Sequence, residues 1–204
     1  GSDNRKNLPR LIRAFAGLPQ DLSASTQLVF AGKMPDENVE SLQAEAVEVG
    51  LTEDQLIFTG YITDEDLRDF YCLTEVFVFP STHEGFGLPP LEAMSCGSIV
   101  VASNTTSIPE VVGLEKAMFD PLDEQAITDA MVRALSDESF KLRARENGVE
   151  RVKLFSWEIS AKKAWRALEQ RWDVLCAEWR EGVQADFFES PLQALAEMVP
   201  SEHY

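Results

Sequence analysis

Apolar residues at 8, 11, 12 and 15 recur at helical spacing, and Gly17-Leu18-Pro19 ends the run, so the chain opens with an amphipathic helix over 7–15. Short apolar runs follow at 27–31, 56–59, 76–79, 99–102 and 117–119. Each is too short for a helix and is bounded by Gly, Pro or polar residues, which predicts buried strands. Helical patterns separate them. Residues 37–49 put Val39, Leu42, Ala46 and Val49 on one face, with Gly50 as the stop. Thr63 caps the next helix, with Asp64, Glu65 and Asp66 in its first turn and Ile62 stapled against Leu67. Residues 88–95 form a helix that Pro89-Pro90 opens and Gly97 closes. After the last strand, helices are predicted at 123–135, at 138–153 and from Ser156 onward. Alternating strands and helices mean an α/β fold, a Rossmann-like parallel sheet flanked by helices.

That pattern lacks one strand. In a doubly wound sheet the strand before the first helix lies centrally, yet no apolar run precedes Lys6. Residues 27–31 and 75–79 are therefore expected to carry unpaired edges. Upstream sequence, on this or a separate polypeptide, is expected to supply the missing strand.

The candidate chemistry lies in residues 77–103, which read strand, glycine turn, helix, strand. The turn Gly85-Phe86-Gly87 falls at the carboxyl end of a strand, where open α/β sheets bind ligands. Glu84 lies in the loop, and Glu92 one turn into the helix, leaning back toward its start. The helix start also offers N–H groups and a positive dipole end that suit phosphate. Carboxylates for hydroxyls beside donors for phosphate match the two halves of a sugar nucleotide.

Residues 84–94, EGFGLPPLEAM, with Pro80-Ser81 before and Gly97 after, resemble the Glu-x7-Glu signature of glycosyltransferase family 4 (group 1). Phe58-x-Gly60, Pro109-Glu110-Val111, Phe119-Asp120-Pro121 and Phe155-Ser156-Trp157-Glu158 extend the resemblance. It implies the carboxy-terminal, donor-binding half of a retaining enzyme of the GT-B fold. It further implies that Lys6, with Arg5 standing in for an upstream arginine, binds the donor diphosphate. The backbone at Gly60 and Tyr61 would meet the base. Glu84 would hold the sugar hydroxyls and Glu92 the ribose, with Gly85, Phe86, Gly87 and Leu88 supplying backbone contacts. Glu84 and Lys6 are the implied catalytic pair. The donor would be a GDP- or UDP-linked hexose, with motif wording closer to GDP-mannose types, and neither cofactor nor metal is implied. The acceptor, a glycan or lipid-linked glycan, would be bound by an amino-terminal half on the same or a separate chain. Two departures stand out, Ser98 for a usual proline and Asn104-Thr105 for a glycine-containing loop. Neither is expected to touch the chemistry.

Composition narrows the choices. Acidic residues outnumber basic ones 35 to 18, which argues against a nucleic-acid binder and makes an anionic donor depend on local donors. Cys72, Cys96 and Cys176 have no metal-ligand spacing and fit a reducing cytoplasm. No run is long enough to span a bilayer and no signal peptide is visible, while peripheral membrane contact remains compatible with the sequence. The acids at 64–66 are read as a helix start, not a metal site; His83 as a loop histidine; Cys96 as a small buried residue. Lys33 follows a strand end and reads equally as ligand-facing or solvated. The resemblance stops near Asp173, giving a donor-binding domain at 1–172 and a helical, acidic extension at 173–204 that either packs on its own domain or docks elsewhere. Two rival functions keep the fold: a non-catalytic sugar-nucleotide-binding or assembly subunit, and a sugar-nucleotide epimerase. A dehydrogenase is disfavoured, because no Gly-x-Gly-x-x-Gly turn opens the chain.

Overall fold

The computed structural model describes residues 3–180. They fall into two compact units that divide between Leu154 and Phe155. The first carries every strand found among the described residues. Its strands are β1 (Leu28–Phe30), β2 (Leu56–Phe58), β3 (Phe77–Phe79), β4 (Val100–Ser103) and β5 (Met118–Phe119). Its helices are α1 (Leu8–Ala16), α2 (Gln20–Ser23), α3 (Asp36–Glu48), α4 (Asp64–Leu73), α5 (Leu88–Ser95), α6 (Ile108–Val112), α7 (Glu124–Ser136) and α8 (Glu138–Val152). The expected strands and helices are observed to within a residue or two, α5 with the expected bounds, but the helix α6 at Ile108–Val112 was not expected. The short α2 was not foreseen; one turn is too brief to show a period.

All strand pairs are parallel. β1 pairs with β2, Val29 opposite Ile57, and Phe30 stacks on Phe58 with ring centroids 5.3 Å apart. β3, β4 and β5 form a separate three-stranded ladder in that order, Val78 opposite Val101 and Ala102 opposite Met118. Among the described residues β1, β2, β3 and β5 are each paired along one edge only. β4 is buried at all four positions.

Helix α1 ties the two ladders' layers together, packing against both α3 and α7. Its Leu11, Ile12 and Phe15 are buried. Arg13 reaches across to Glu45 on α3 (2.6 Å) and Glu124 on α7 (2.7 Å). Both carboxylates hold the Arg13 guanidinium above its ordinary pKa. On α8, Gly148 lets α5 approach closely, since a Cβ there would come within 3.3 Å of Met94. The acids at 64–66 do serve a helix start: Thr63 accepts from Asp66 N–H (3.1 Å), and Asp66 accepts from Thr63 N–H (3.2 Å).

The second unit contains α9 (Trp157–Arg180). Ser156 caps it, accepting from Ile159 N–H at 3.0 Å. Trp157, Trp165 and Trp172 are exposed along it. This helix runs unbroken through residue 173. The rest of the expected extension, 181–204, lies outside the described residues. No helix among the described residues is long and apolar enough to cross a membrane.

Candidate functional site

The site grows from a turn ahead of α1. Asp3 caps a single 3-10 turn, Asn4–Lys6, and Asn7 then takes a left-handed conformation, φ 59°. Asparagine tolerates that conformation better than most residues. Asn7 is 7% exposed, and its amide N–H2 donates to Pro80 O (3.1 Å) and to Pro121 O (2.7 Å). Those carbonyls lie just past the carboxyl ends of β3 and β5. Arg10 donates to the amide oxygen of Asn7 at 2.7 Å, and Thr82 N–H donates to Arg5 O at 2.8 Å. The turn is thereby pinned to the strand ends.

This pinning sets Lys6 at the mouth of β3. Its Nζ lies 2.6 Å from Glu84 Oε1 and 5.4 Å from the centre of the Phe79 ring. Both side chains are largely buried, 26% and 17% exposed. Arg5 belongs to the same turn, but its guanidinium turns to Asp3, with two contacts of 3.1 Å. That pair holds the Asp3 carboxyl below the usual carboxylate range.

Glu84 is also held through its backbone. Thr106 Oγ1 accepts from Glu84 N–H (3.1 Å), and Ser107 Oγ donates to Glu84 O (2.9 Å). Thr105 Oγ1 donates to Thr82 O at 3.2 Å. The loop after β4 thus clamps the loop after β3. Thr106 does so with φ 52°, a conformation that strains a β-branched residue. The hydroxyls of Thr106 and Ser107 thus hold Glu84 in place.

Gly87 starts α5 at φ 107°, with no side-chain cap. Of the donors that a helix start leaves unpaired, Pro89 and Pro90 have none to give. Leu91 N–H already bonds Gly87 O. The start of α5 therefore offers an anion the N–H groups of Gly87 and Leu88. Phe86 and Leu88 are exposed beside it, and nothing lies within 4 Å of where a Gly85 side chain would begin.

One turn on, Glu92 Oε2 accepts from the Tyr71 hydroxyl at 3.2 Å. Tyr71 belongs to α4 and is 7% exposed. Its ring meets Phe77 edge-on, centroids 5.3 Å apart. Burial, and then the Glu92 charge, push its pKa upward. Ser98 Oγ donates to the Tyr71 carbonyl. Burial likewise raises the pKa of Cys96.

Gly60 and Tyr61 follow β2, Gly60 at φ 69° bridging to Gly32, and Tyr61 79% exposed. Lys33 and His83 are exposed. Asn7, Tyr71, Thr106 and Ser107 were missed from sequence. Only Asn7, a residue tolerant of left-handed backbone at a helix start, carried a local signal.

A parallel α/β domain with a glycine turn, an uncapped helix start and a Lys–Glu pair at its strand ends has the form of a ligand-binding α/β domain, its site outside the carboxyl ends of the strands. Residues 2–151 match the family model for glycosyl transferases group 1, and the chain belongs to that family. It is 47% identical over 160 residues to serotype-specific mannosyltransferase WbdA of Escherichia coli, covering 78% of this chain and 20% of that protein. It is 42% identical over 154 residues to O-antigen chain mannosyltransferase B of Escherichia coli, covering 76% and 40%. The chain thus spans well under half of these relatives. Among solved structures, sucrose-phosphate synthase from Thermosynechococcus elongatus aligns with a TM-score of 0.69 and 33% identity, covering 84% of this chain and 44% of that one.

Proposed function

We propose that this domain holds the donor for a retaining hexosyltransferase, and that the hexose is mannose carried on GDP, with UDP the alternative carrier. The observation that carries this reading is the Lys6–Glu84 contact of 2.6 Å beside the start of α5. A cation able to meet a diphosphate and a carboxylate able to meet sugar hydroxyls stand at one point. The names of the mannosyltransferase relatives support the choice of sugar.

In this reading the donor displaces the Lys6–Glu84 contact. Lys6 turns to the diphosphate together with the Gly87 and Leu88 N–H groups, while Glu84 accepts from sugar hydroxyls. Glu92 accepts from the ribose, and the backbone at Gly60 and Tyr61 meets the base. The bond between the anomeric carbon and the diphosphate oxygen breaks, leaving oxocarbenium character on the sugar. An acceptor hydroxyl bonds to that carbon on the same face, and its proton passes to the departing phosphate oxygen. Charge grows on the diphosphate, where preorganised donors contribute most; losing one such donor costs roughly 10²–10³ in rate. No metal takes part in the proposed transfer. The acceptor, a glycan or lipid-linked glycan, lies over Glu84 and is held by an amino-terminal half, at the cytoplasmic side of a membrane that the assembled enzyme contacts peripherally.

One observation favours a second reading. Asp3 occupies Arg5, which leaves Lys6 as the cation beside Glu84 and suits a subunit that binds a sugar nucleotide without turning it over. Titration calorimetry with GDP, UDP, GDP-mannose and UDP-glucose tests donor binding, and mannosyl transfer by the chain joined to its acceptor half tests catalysis. Binding without transfer supports the second reading, and no binding of any of the four overturns both.

A further inference from the structure

We propose that Tyr71 is the positioning residue for ribose recognition, holding the Glu92 carboxylate at the angle a ribose diol requires. The inference rests on the reading above that Glu92 accepts from the ribose. Its observation is separate, the 3.2 Å hydrogen bond from a nearly buried phenol on α4 to Oε2 of a carboxylate on α5.

Three features make Tyr71 suited to positioning. Its ring is fixed, edge-on to Phe77 at 81°, and its backbone carbonyl receives the Ser98 hydroxyl. Its hydroxyl remains a donor at every ordinary pH, because burial and the neighbouring carboxylate both raise its pKa. And it takes one carboxylate oxygen, while an ionised carboxylate offers about four acceptor positions in all, so Oε1 keeps its capacity for ligand hydroxyls. Glu92 alone would be a flexible side chain on a short helix, with rotamer freedom to lose whenever a ribose bound. Tyr71 removes that freedom beforehand, which is how preorganisation raises affinity.

A purely structural Tyr71 would support α4 against α5 and affect all ligands alike. A positioning Tyr71 affects only ligands that carry ribose hydroxyls. The experiment measures affinities of GDP and 2′,3′-dideoxy-GDP, with UDP and 2′,3′-dideoxy-UDP in parallel, for the wild type, Glu92→Gln, Tyr71→Phe and the double variant. The tighter-binding base in the wild type sets the comparison. Tyr71→Phe keeps the ring and its packing, and circular dichroism of each variant verifies folding. We expect the wild type to prefer the ribonucleotide at least about tenfold, and Glu92→Gln to abolish most of that preference. Tyr71→Phe should weaken the ribonucleotide about 3- to 10-fold, the scale of one hydrogen bond, and leave the dideoxy analogue unchanged. In the Glu92→Gln background it should change nothing.

The failures separate. If Glu92→Gln leaves the ribose preference intact, or neither nucleotide binds the wild type, the ribose reading of Glu92 falls and this inference with it. If Glu92→Gln abolishes the preference but Tyr71→Phe does not reduce it, the inference about Tyr71 alone is overturned. An equal loss for ribo- and dideoxynucleotides on Tyr71→Phe assigns the residue to packing and overturns it likewise.

Discussion

Lys6 and Glu84 lie far apart in sequence yet meet at 2.6 Å, with the ammonium also over the face of Phe79. The contact depends on two backbone anchors, Asn7 on the Pro80 and Pro121 carbonyls and the Thr106–Ser107 clamp on Glu84. Without ligand, each charge satisfies the other. A donor must therefore replace one contact with two, Lys6 to phosphate and Glu84 to sugar.

This relationship makes the two residues separable. Lys6→Met should weaken free GDP or UDP by about 1–3 kcal/mol, the range for a hydrogen bond to a charged group. Glu84→Ala should not weaken free nucleotide at all, because it releases Lys6, but should sharply reduce sugar transfer in the assembled enzyme. Calorimetry and a transfer assay on both variants decide it. Parallel loss of nucleotide affinity in Glu84→Ala would contradict the assignment.

Thr106 gives a prediction about strain. It sits at φ 52° while its hydroxyl accepts the Glu84 N–H. Thr106→Gly removes a strain of about 1–2 kcal/mol and the hydroxyl together. Thermal stability should hold or rise while transfer falls, since Glu84 loses one of its two backbone anchors. A variant that loses stability and keeps full transfer would show that the loop geometry serves the fold alone.

How much of this was legible beforehand follows from where each signal resides. Helix α5 was readable to the residue because two prolines and an apolar face lie within it and a glycine lies just beyond each end. Glu84 and Glu92 were readable because their spacing is local. Tyr71, Thr106 and Asn7 act on groups 21, 22 and 114 residues away, through hydroxyls and an amide meeting distant backbone or carboxylate. Nothing in their neighbours' chemistry announces such partners. The contacts of Ser98 with Tyr71 and of Ser107 with Glu84 are hidden for the same reason: they are tertiary. That β1 and β3 each pair along one edge among the described residues was legible because strand order is a rule of topology, not of side chains.

Gly87 carries the start of α5. At φ 107°, a Cβ would be strained by the backbone and would lie 2.8 Å from Ile108 Cδ1. The isoleucine tip can shift, so the backbone term dominates. Gly87→Ala should cost about 1–3 kcal/mol, measured by urea unfolding, and should lower diphosphate affinity as the Leu88 N–H moves. Gly85→Ala serves as the control, since its side chain would meet open space. Equal destabilisation by both would remove the special role given to Gly87.

The divided sheet predicts uneven protection. β4 is paired on both sides, and its Val100, Val101, Ala102 and Ser103 are at most 3% exposed. β1 is paired on one side, and its Val29 is 37% exposed. Opening β1 disrupts one ladder and little core, whereas opening β4 disrupts two ladders and the centre of the domain. Local opening should thus release β1 amides well below the free energy of global unfolding. Hydrogen exchange on the isolated chain should find hydrogen-bonded β4 amides at least about tenfold more protected than those of β1, the ratio that a 1.4 kcal/mol difference gives. β3 should fall between them, because its paired edge faces β4. Equal protection of β1 and β4 would mean that the open edges are stabilised by something other than strand pairing, and would remove the argument that β1 opens before β4.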